Sequence, residues 1–131
     1  MRTLTPQTKL VAKRRFFEIV EGGAMTMGCR AEIIWHEGYP VTANDPETTD
    51  RFFDIARATL GEDRVETVDQ PTMGGEDFSY YSQHARACFF LLGLRPKDAG
   101  SYPTLHQPDF DFNDDALATG IEMMVALATK A

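Results

Sequence analysis

A glycine pair followed by two carboxylates is the first stretch of this sequence that could do chemistry. Gly74 and Gly75 precede Glu76 and Asp77, and an aromatic-rich turn over residues 78–81 follows them. Adjacent glycines allow positive φ and a close backbone approach to a bound group. Asp77 is placed to cap a short helix whose first amides would point back at an anion. Gly74, Gly75 and Glu76 are therefore candidate contacts for a carboxylate or another small anion, with an ordinary loop-to-helix turn as the alternative.

His106 is the second candidate, on a loop between Pro103 and Pro108 that leads into an acidic helix start. A neutral imidazole on a stiff loop can present one nitrogen to a metal while a carbonyl or carboxylate fixes the other. The other histidines, His36 and His84, stand at no close spacing to it. Three scattered histidines do not specify a complete metal site, and a lone loop histidine can equally be a solvated side chain.

Composition narrows the classes of function. The 131 residues are 43% hydrophobic and 25% charged, as in a soluble globular chain, and the net charge of −7 argues against a nucleic-acid partner. The longest apolar run, 87–92, is too short to span a membrane. No apolar leader follows Met1, which predicts a cytoplasmic protein. Cys29 and Cys88 are expected to be reduced core residues, with a disulfide left open.

Three helices are predicted from caps and apolar periodicity. The first runs over Pro6–Met27 with Thr5 as N-cap and Gly28 as C-cap, the second over Pro46–Leu60 with Asp45 as N-cap, and the third over Asp114–Thr129. The third helix repeats apolar residues at helical spacing. Its expected buried stripe consists of Leu117, Ile121, Met124, Val125 and Ala128.

Three strands are predicted between these helices. The segment 29–36 alternates like a half-buried strand, and 65–68 is a short strand that leads to the glycine loop. The segment 87–94 has apolar side chains in both directions, which predicts a central strand covered on both faces and flanked by the second and third helices. Strands that alternate with helices predict an α/β layer.

Five short motifs occur in an order that resembles one enzyme family. They are Arg2-Thr3, then Gly38-Tyr39-Pro40 with Asn44-Asp45-Pro46, then Met73-Gly74-Gly75-Glu76-Asp77-Phe78, then Phe89-Phe90-Leu91-Leu92-Gly93, and finally Leu105-His106-Gln107-Pro108 with the run from Phe110 to Leu117. Together they resemble the C-terminal part of the metal-dependent amidohydrolases and metallopeptidases of the aminoacylase, carboxypeptidase G and hippurate hydrolase family, especially its indole-acetyl-amino-acid hydrolase branch.

The resemblance implies a fold and a reaction. Residues 1–37 would be the last helix and strand of an α+β lid or dimerisation domain, and residues 38–131 the closing part of a zinc-peptidase-like catalytic domain. The full-length enzyme would hold a pair of divalent metals (zinc, manganese or cobalt) and hydrolyse the amide bond of N-acyl amino acids or small peptides. A homodimer through the lid domain is implied, and neither a nucleic acid nor a membrane partner.

The resemblance carries over few site residues. His106 matches a metal ligand, and Gly74, Gly75 and Glu76 match a substrate contact. The general base and most metal ligands of family members lie in an earlier part of their sequence, so we expect no catalytic residue here and no activity of the chain alone. The competing hypothesis is a noncatalytic binding or assembly module that kept the fold and the glycine loop.

Overall fold

The computed structural model describes residues 1–130, whose regular structure is helical. The α-helices are α1 (Pro6–Thr26), α2 (Pro46–Leu60) and α3 (Asp115–Lys130), and two 3₁₀ helices span Glu62–Arg64 and Asp77–Gln83. The chain divides into two compact units. The first unit contains Met1–Asn44 and Val68–Ala87, and the second contains Asp45–Thr67 and the chain from Cys88 onwards.

Helix α1 has the ends that the sequence predicts, to within one residue. The Thr5 hydroxyl accepts a hydrogen bond from the amide of Thr8 at 3.0 Å, and Pro6 occupies the first turn. At the other end Met27 is the cap residue and Gly28, at φ 67°, follows it. The amide of Cys29 donates to the carbonyl of Ala24 at 2.8 Å, and that of Gly28 donates to Met25 at 3.1 Å. This bond pair is the Schellman arrangement, which satisfies carbonyls left unpaired at a helix end.

The segment after α1 packs on that helix through Trp35. The Trp35 ring lies 5.5 Å from the ring of Phe16 and 5.6 Å from that of Phe17, centroid to centroid. Side-chain burial alternates as predicted, with Ala31, Ile33 and Trp35 half-buried and Arg30, Glu32, Ile34 and His36 exposed. The alternation therefore predicts correctly which of these side chains are half-buried, although the segment pairs with no strand in the described residues.

The predicted α/β layer is not confirmed. Residues 1–130 contain no β-strand, so the strands predicted over 29–36, 65–68 and 87–94 are absent from the structure. A strand exists through hydrogen bonds to a neighbouring strand, and none of these segments forms such a ladder within the described residues. Alternation and apolar content can predict which segments suit a sheet, but they cannot supply the partner.

The second unit is built on the packing of α2 against α3. Ile55 and Ala56 on α2 are buried together with Met123 and Ala126 on α3. Half-buried apolar side chains surround this core, namely those of Phe52, Leu60, Val65 and Leu127. None of the helices within residues 1–130 combines the length and apolar character that crossing a membrane requires.

Segment 87–94 contacts both helices of its unit. The Phe90 ring stacks on Phe52 at 4.7 Å between centroids, and a Cβ on Gly120 would lie 3.2 Å from Leu92 Cδ2. The predicted contact of this segment with both the second and the third helix is therefore confirmed, although these two helices also pack directly on each other. The prediction that both faces are covered is wrong, because the Leu91 side chain is 64% exposed.

Two burial predictions also need correction. The stripe predicted for α3 is exposed, since α2 packs instead on the face that carries Met123 and Ala126. Helix α3 is apolar on more than one side, so its periodicity alone could not select the face that α2 covers. Cys29 and Cys88 are both reduced, as predicted, but Cys29 is exposed and not a core residue.

Candidate functional site

The glycine loop adopts a different conformation from the predicted one. Within residues 1–130, positive φ among glycines occurs at Gly28 and Gly61, and so not at Gly74 or Gly75. What requires a glycine at position 75 is space, because a Cβ there would lie 3.3 Å from Tyr39 Cδ2. A Cβ on Gly74 would meet only Thr72 Oγ1, at an ordinary 3.5 Å. Gly75 therefore permits a close approach of the Tyr39 ring, and its predicted contact with a bound anion stays a prediction.

Arg2 lies against the same loop. Its Nη1 donates a hydrogen bond to the carbonyl of Met73 at 2.8 Å, and its Nε and Nη2 each lie 3.7 Å from the position of a Cβ on Gly75. The loop thus carries a guanidinium beside its glycine pair. Sequence reasoning noticed Arg2 only as part of a motif, because no local pattern indicates a contact between residues 71 positions apart.

Glu76 begins the short helix after the glycines, and Asp77 does not cap it. Glu76 is the N-cap residue of the 3₁₀ helix Asp77–Gln83, which has no side-chain cap. The Glu76 carbonyl accepts from the amide of Ser79 at 3.2 Å and from its hydroxyl at 2.5 Å. Ser79 is fully buried, so these bonds tie the end of the loop to a buried position. The predicted Asp77 cap is wrong because the chain enters the helix one residue earlier.

His106 has an unusual backbone conformation. Its φ is +70°, and it is the only residue other than glycine with positive φ in the described part of the chain. Histidine adopts this region more often than most residues, yet such conformations store about 1–3 kcal/mol of strain and cluster at functional sites. The conformation needs external support, and the surrounding loop supplies it.

That support comes from hydrogen bonds on both sides of His106. Gln107 Oε1 accepts from the amide of Thr104 at 2.7 Å, and the amide of Gln107 donates to the Thr104 carbonyl at 3.2 Å. The Tyr102 hydroxyl donates to the carbonyl of Asp111 at 2.6 Å and so closes the loop at its base. The imidazole of His106 is exposed and makes no hydrogen bond with residues 1–130. A braced loop thus presents an unengaged imidazole.

The described residues do not form a complete metal site. No group of three or more His, Cys, Asp or Glu side chains within residues 1–130 is arranged to hold a metal ion. One imidazole can be one ligand, whereas protein metal sites need several. The two candidate regions also fall in different units, His106 in the second and Gly74, Gly75 and Glu76 in the first.

The family model described as peptidase family M20/M25/M40 matches residues 5–130. The chain therefore belongs to peptidase family M20/M25/M40, a family of hydrolases.

Individual relatives agree with this family. Thermostable carboxypeptidase 2 of Saccharolobus solfataricus is 32% identical over 99% of this chain and 32% of its own length. The IAA-amino acid hydrolase ILR1-like 6 of Arabidopsis thaliana is 30% identical over 90% of this chain and 26% of its own length. An uncharacterized hydrolase, y4tI, of Sinorhizobium fredii is 31% identical over 95% and 30%. The chain thus spans about a third or less of the length of these curated relatives. No solved structure matches it.

Proposed function

We propose that this chain is a part of a metal-dependent amidohydrolase of the aminoacylase type, which cleaves the amide bond of N-acyl amino acids or similar small amides. Family membership and the hydrolase names of the relatives support the reaction class. The observation that carries the proposal is His106, whose strained backbone and braced loop present an imidazole with no structural partner in the described residues. A purely structural loop would gain nothing from that strain.

Each candidate site residue of this chain has one role in this proposal. His106 supplies one ligand to a metal pair (zinc, manganese or cobalt), and the remaining ligands and the general base come from residues outside this chain. Such a pair, when bound, makes water more acidic and polarises the scissile carbonyl. The amides at Gly74 and Gly75 and the Arg2 guanidinium hold the carboxylate end of the substrate, because a fixed cation beside exposed amides suits an anion. Glu76 positions that loop through its bonds to Ser79.

The architecture of the complete enzyme is a second part of the proposal. Leu91 and the exposed stripe of α3 would be covered when further strands and helices complete an α/β layer, since apolar faces of this kind are normally buried in such layers. Residues 1–37 would belong to the lid domain and 38–131 to the catalytic domain. A homodimer through the lid is supported by Ile34, an apolar side chain that is 76% exposed on the outer side of segment 29–36, among polar residues. A cytoplasmic location completes the proposal.

The alternative is a noncatalytic binding or assembly module. It is favoured by one observation, namely that residues 1–130 hold no cluster of three metal-binding side chains. The two functions predict different neighbouring reading frames or co-expressed polypeptides. A reading frame immediately upstream, or a co-expressed polypeptide, that encodes histidine and acidic ligands supports the enzyme. A genuine start site with no such neighbour supports the module.

The decisive experiment replaces His106 in the protein that unites this chain with the rest of the family fold. His106→Asn removes the imidazole while keeping a residue that tolerates positive φ, so the loop should survive. We expect loss of most bound metal and nearly all turnover of N-acyl amino acids. His84→Asn, another exposed histidine, is the matched control and should change neither. Gly75→Val and Arg2→Met should keep the metal but raise KM. A His106→Asn enzyme with full metal content and rate would contradict the ligand role.

A further inference from the structure

A cleft of about 450 Å³ opens in the first unit between the first turns of α1 and residues 37–41. This volume lies within the range of about 300–1,000 Å³ that is usual for small-molecule sites. Its apolar wall is formed by Pro6, Leu10, Pro40 and Val41. Leu10 is 71% exposed, so a ligand in the cleft would bury apolar surface that the chain itself leaves in water.

The polar end of the cleft carries more positive than negative charge. Lys9, Lys13 and Glu37 line it, which gives two ammonium groups for one carboxylate. Lys13 Nζ donates a close hydrogen bond to Glu37. Lys9 Nζ has only long contacts, at 3.4 Å to the carbonyls of Gly38 and Tyr39 and at 3.5 Å to Glu37 Oε2. Glu37 therefore lies closer to Lys13 through Oε1, and its Oε2 forms only a longer ion pair with Lys9.

Lys9 is also shielded from water. Its side chain is only 21% exposed, less than the 34% of Lys13. An ammonium that is largely withdrawn from solvent is stabilised by an anionic hydrogen-bond partner at short distance. The chain supplies an anionic partner only at 3.5 Å, through Glu37 Oε2, which leaves room for a closer anion.

We propose that this cleft binds a small organic monocarboxylate with an apolar body. The carboxylate accepts a hydrogen bond from Lys9, and the apolar body lies against Leu10 and Val41. A cationic ligand would face the surplus positive charge, and a neutral one would leave Lys9 with its long contacts alone. A dianion would bring its second charge close to Glu37. The site stands on residues of the first unit alone and does not depend on the proposed hydrolase function.

The binding test uses the complete chain and three probes that share one phenyl body. Phenylacetate, 2-phenylethanol and 2-phenylethylamine are titrated while the methyl resonances of Leu10 and Val41 are followed by NMR. We expect phenylacetate to shift both resonances and to bind at least about tenfold more tightly than the alcohol, since a charge-assisted hydrogen bond is stronger than a neutral one. The amine should give no saturable shift. Equal affinity for the acid and the alcohol would overturn the proposal.

Substitutions of Lys9 test whether its ammonium group binds the carboxylate of the probe. Lys9→Met keeps the aliphatic stem and should weaken phenylacetate binding by about tenfold without changing the binding of the alcohol. Lys9→Arg should retain binding. Lys97→Met, which removes an exposed lysine of the other unit, is the matched control and should match the wild type. Unchanged affinity in Lys9→Met would contradict the proposal.

One further variant separates this cleft from the glycine loop. If phenylacetate binding falls in Arg2→Met but not in Lys9→Met, the probe occupies the anion contact at Gly74 and Gly75. That result would support the proposed substrate contact and overturn the cleft. If Lys9→Met does not fold, the titration of the wild type remains the test. Phenylacetate that shifts other resonances but not those of Leu10 and Val41 would by itself contradict the proposal. None of these binding outcomes depends on whether the chain takes part in amide hydrolysis.

Discussion

Helix α1 and the α2–α3 pair are held by different means. The 21-residue α1 has no buried residue, and its Ile19 is 64% exposed. The shorter helices α2 and α3 share a buried core of Ile55, Ala56, Met123 and Ala126. Helix α1 therefore depends on its end signals, its intrinsic helix propensity and a half-buried contact with Trp35, whereas α2 and α3 depend on each other. In water most helical stability comes from packing an apolar face, so we expect the two regions to respond differently to the same substitution.

Truncation of the shared core should have the largest effect. Ile55→Ala removes buried methyl and methylene groups and leaves a cavity, so we expect the free energy of unfolding to fall by about 2–5 kcal/mol. The matched variant Ile19→Ala makes the same chemical change on exposed α1 and should change stability by no more than about 0.5 kcal/mol. Urea unfolding followed by circular dichroism measures both. Equal losses would mean that α1 has a packing partner comparable to that of α2.

The same contrast shows which features sequence can predict. The caps at Thr5 and Asp45 were predicted and are present, with the Asp45 carboxylate accepting from the amide of Thr48 at 2.9 Å. A cap involves residues three apart, so all of its information is local. The buried face of α3 was predicted wrongly, because that face is selected by α2 and not by the periodicity of α3 itself. The strands failed for a similar reason, since a ladder needs a distant partner.

The same distinction between local and tertiary information applies to the candidate site. His106 and the glycine pair were found from residue type and flanking prolines, which are local features. The positive φ of His106 and the position of Arg2 against the glycine loop were not predicted. The first depends on how Tyr102, Thr104 and Gln107 close the loop, and the second on a tertiary contact. Histidine is not a residue that signals positive φ strongly, so sequence offered no clear indication.

Alanine substitution of one glycine in each region should produce a smaller difference in stability. A Cβ on Gly22 of α1 meets nothing within 4 Å, whereas one on Gly120 of α3 meets Leu92 Cδ2 at 3.2 Å. Gly22→Ala should raise the free energy of unfolding by about 0.5–1 kcal/mol, because alanine is the better helix former. Gly120→Ala gains the same propensity but crowds Leu92, so we expect a smaller gain or a net loss.

A second background tests whether Leu92 causes the difference. With Leu92→Ala in place the contact is gone, and Gly120→Ala should then recover a gain close to that of Gly22→Ala. Thermal unfolding of the wild type, Gly120→Ala, Leu92→Ala and the double variant completes the cycle. If Gly120→Ala gains as much as Gly22→Ala in the original background, α3 packs less closely on segment 87–94 than the structure shows.

The smallest effect concerns the ion pairs that join α1 to the segment after it. A hydrogen bond from Lys13 lowers the pKa of the Glu37 carboxyl, and the charges of Lys13 and Lys9 act in the same direction. Because the folded pKa lies below the unfolded value of about 4.3, the contribution of Glu37 is complete above that value. It is lost as the pH falls through the folded pKa.

Acidification below about pH 4 should therefore weaken the first unit only slightly, because Glu37 is exposed and Lys13 is only half-buried, so that solvent screens the pair. Trp35, the only tryptophan, lies with its ring centroid 5.0 Å from Lys13 Nζ, so its fluorescence reports on this contact. At low salt, Glu37→Gln should flatten the acid part of the fluorescence titration. Glu66→Gln, which removes a carboxylate that forms no ion pair within residues 1–130, should leave it unchanged. Added salt should shrink the wild-type transition, since screening weakens exposed pairs. A titration that is the same in wild type and Glu37→Gln would show that the Lys13 contact does not depend on this carboxylate, and that α1 is joined to Trp35 by ring packing alone.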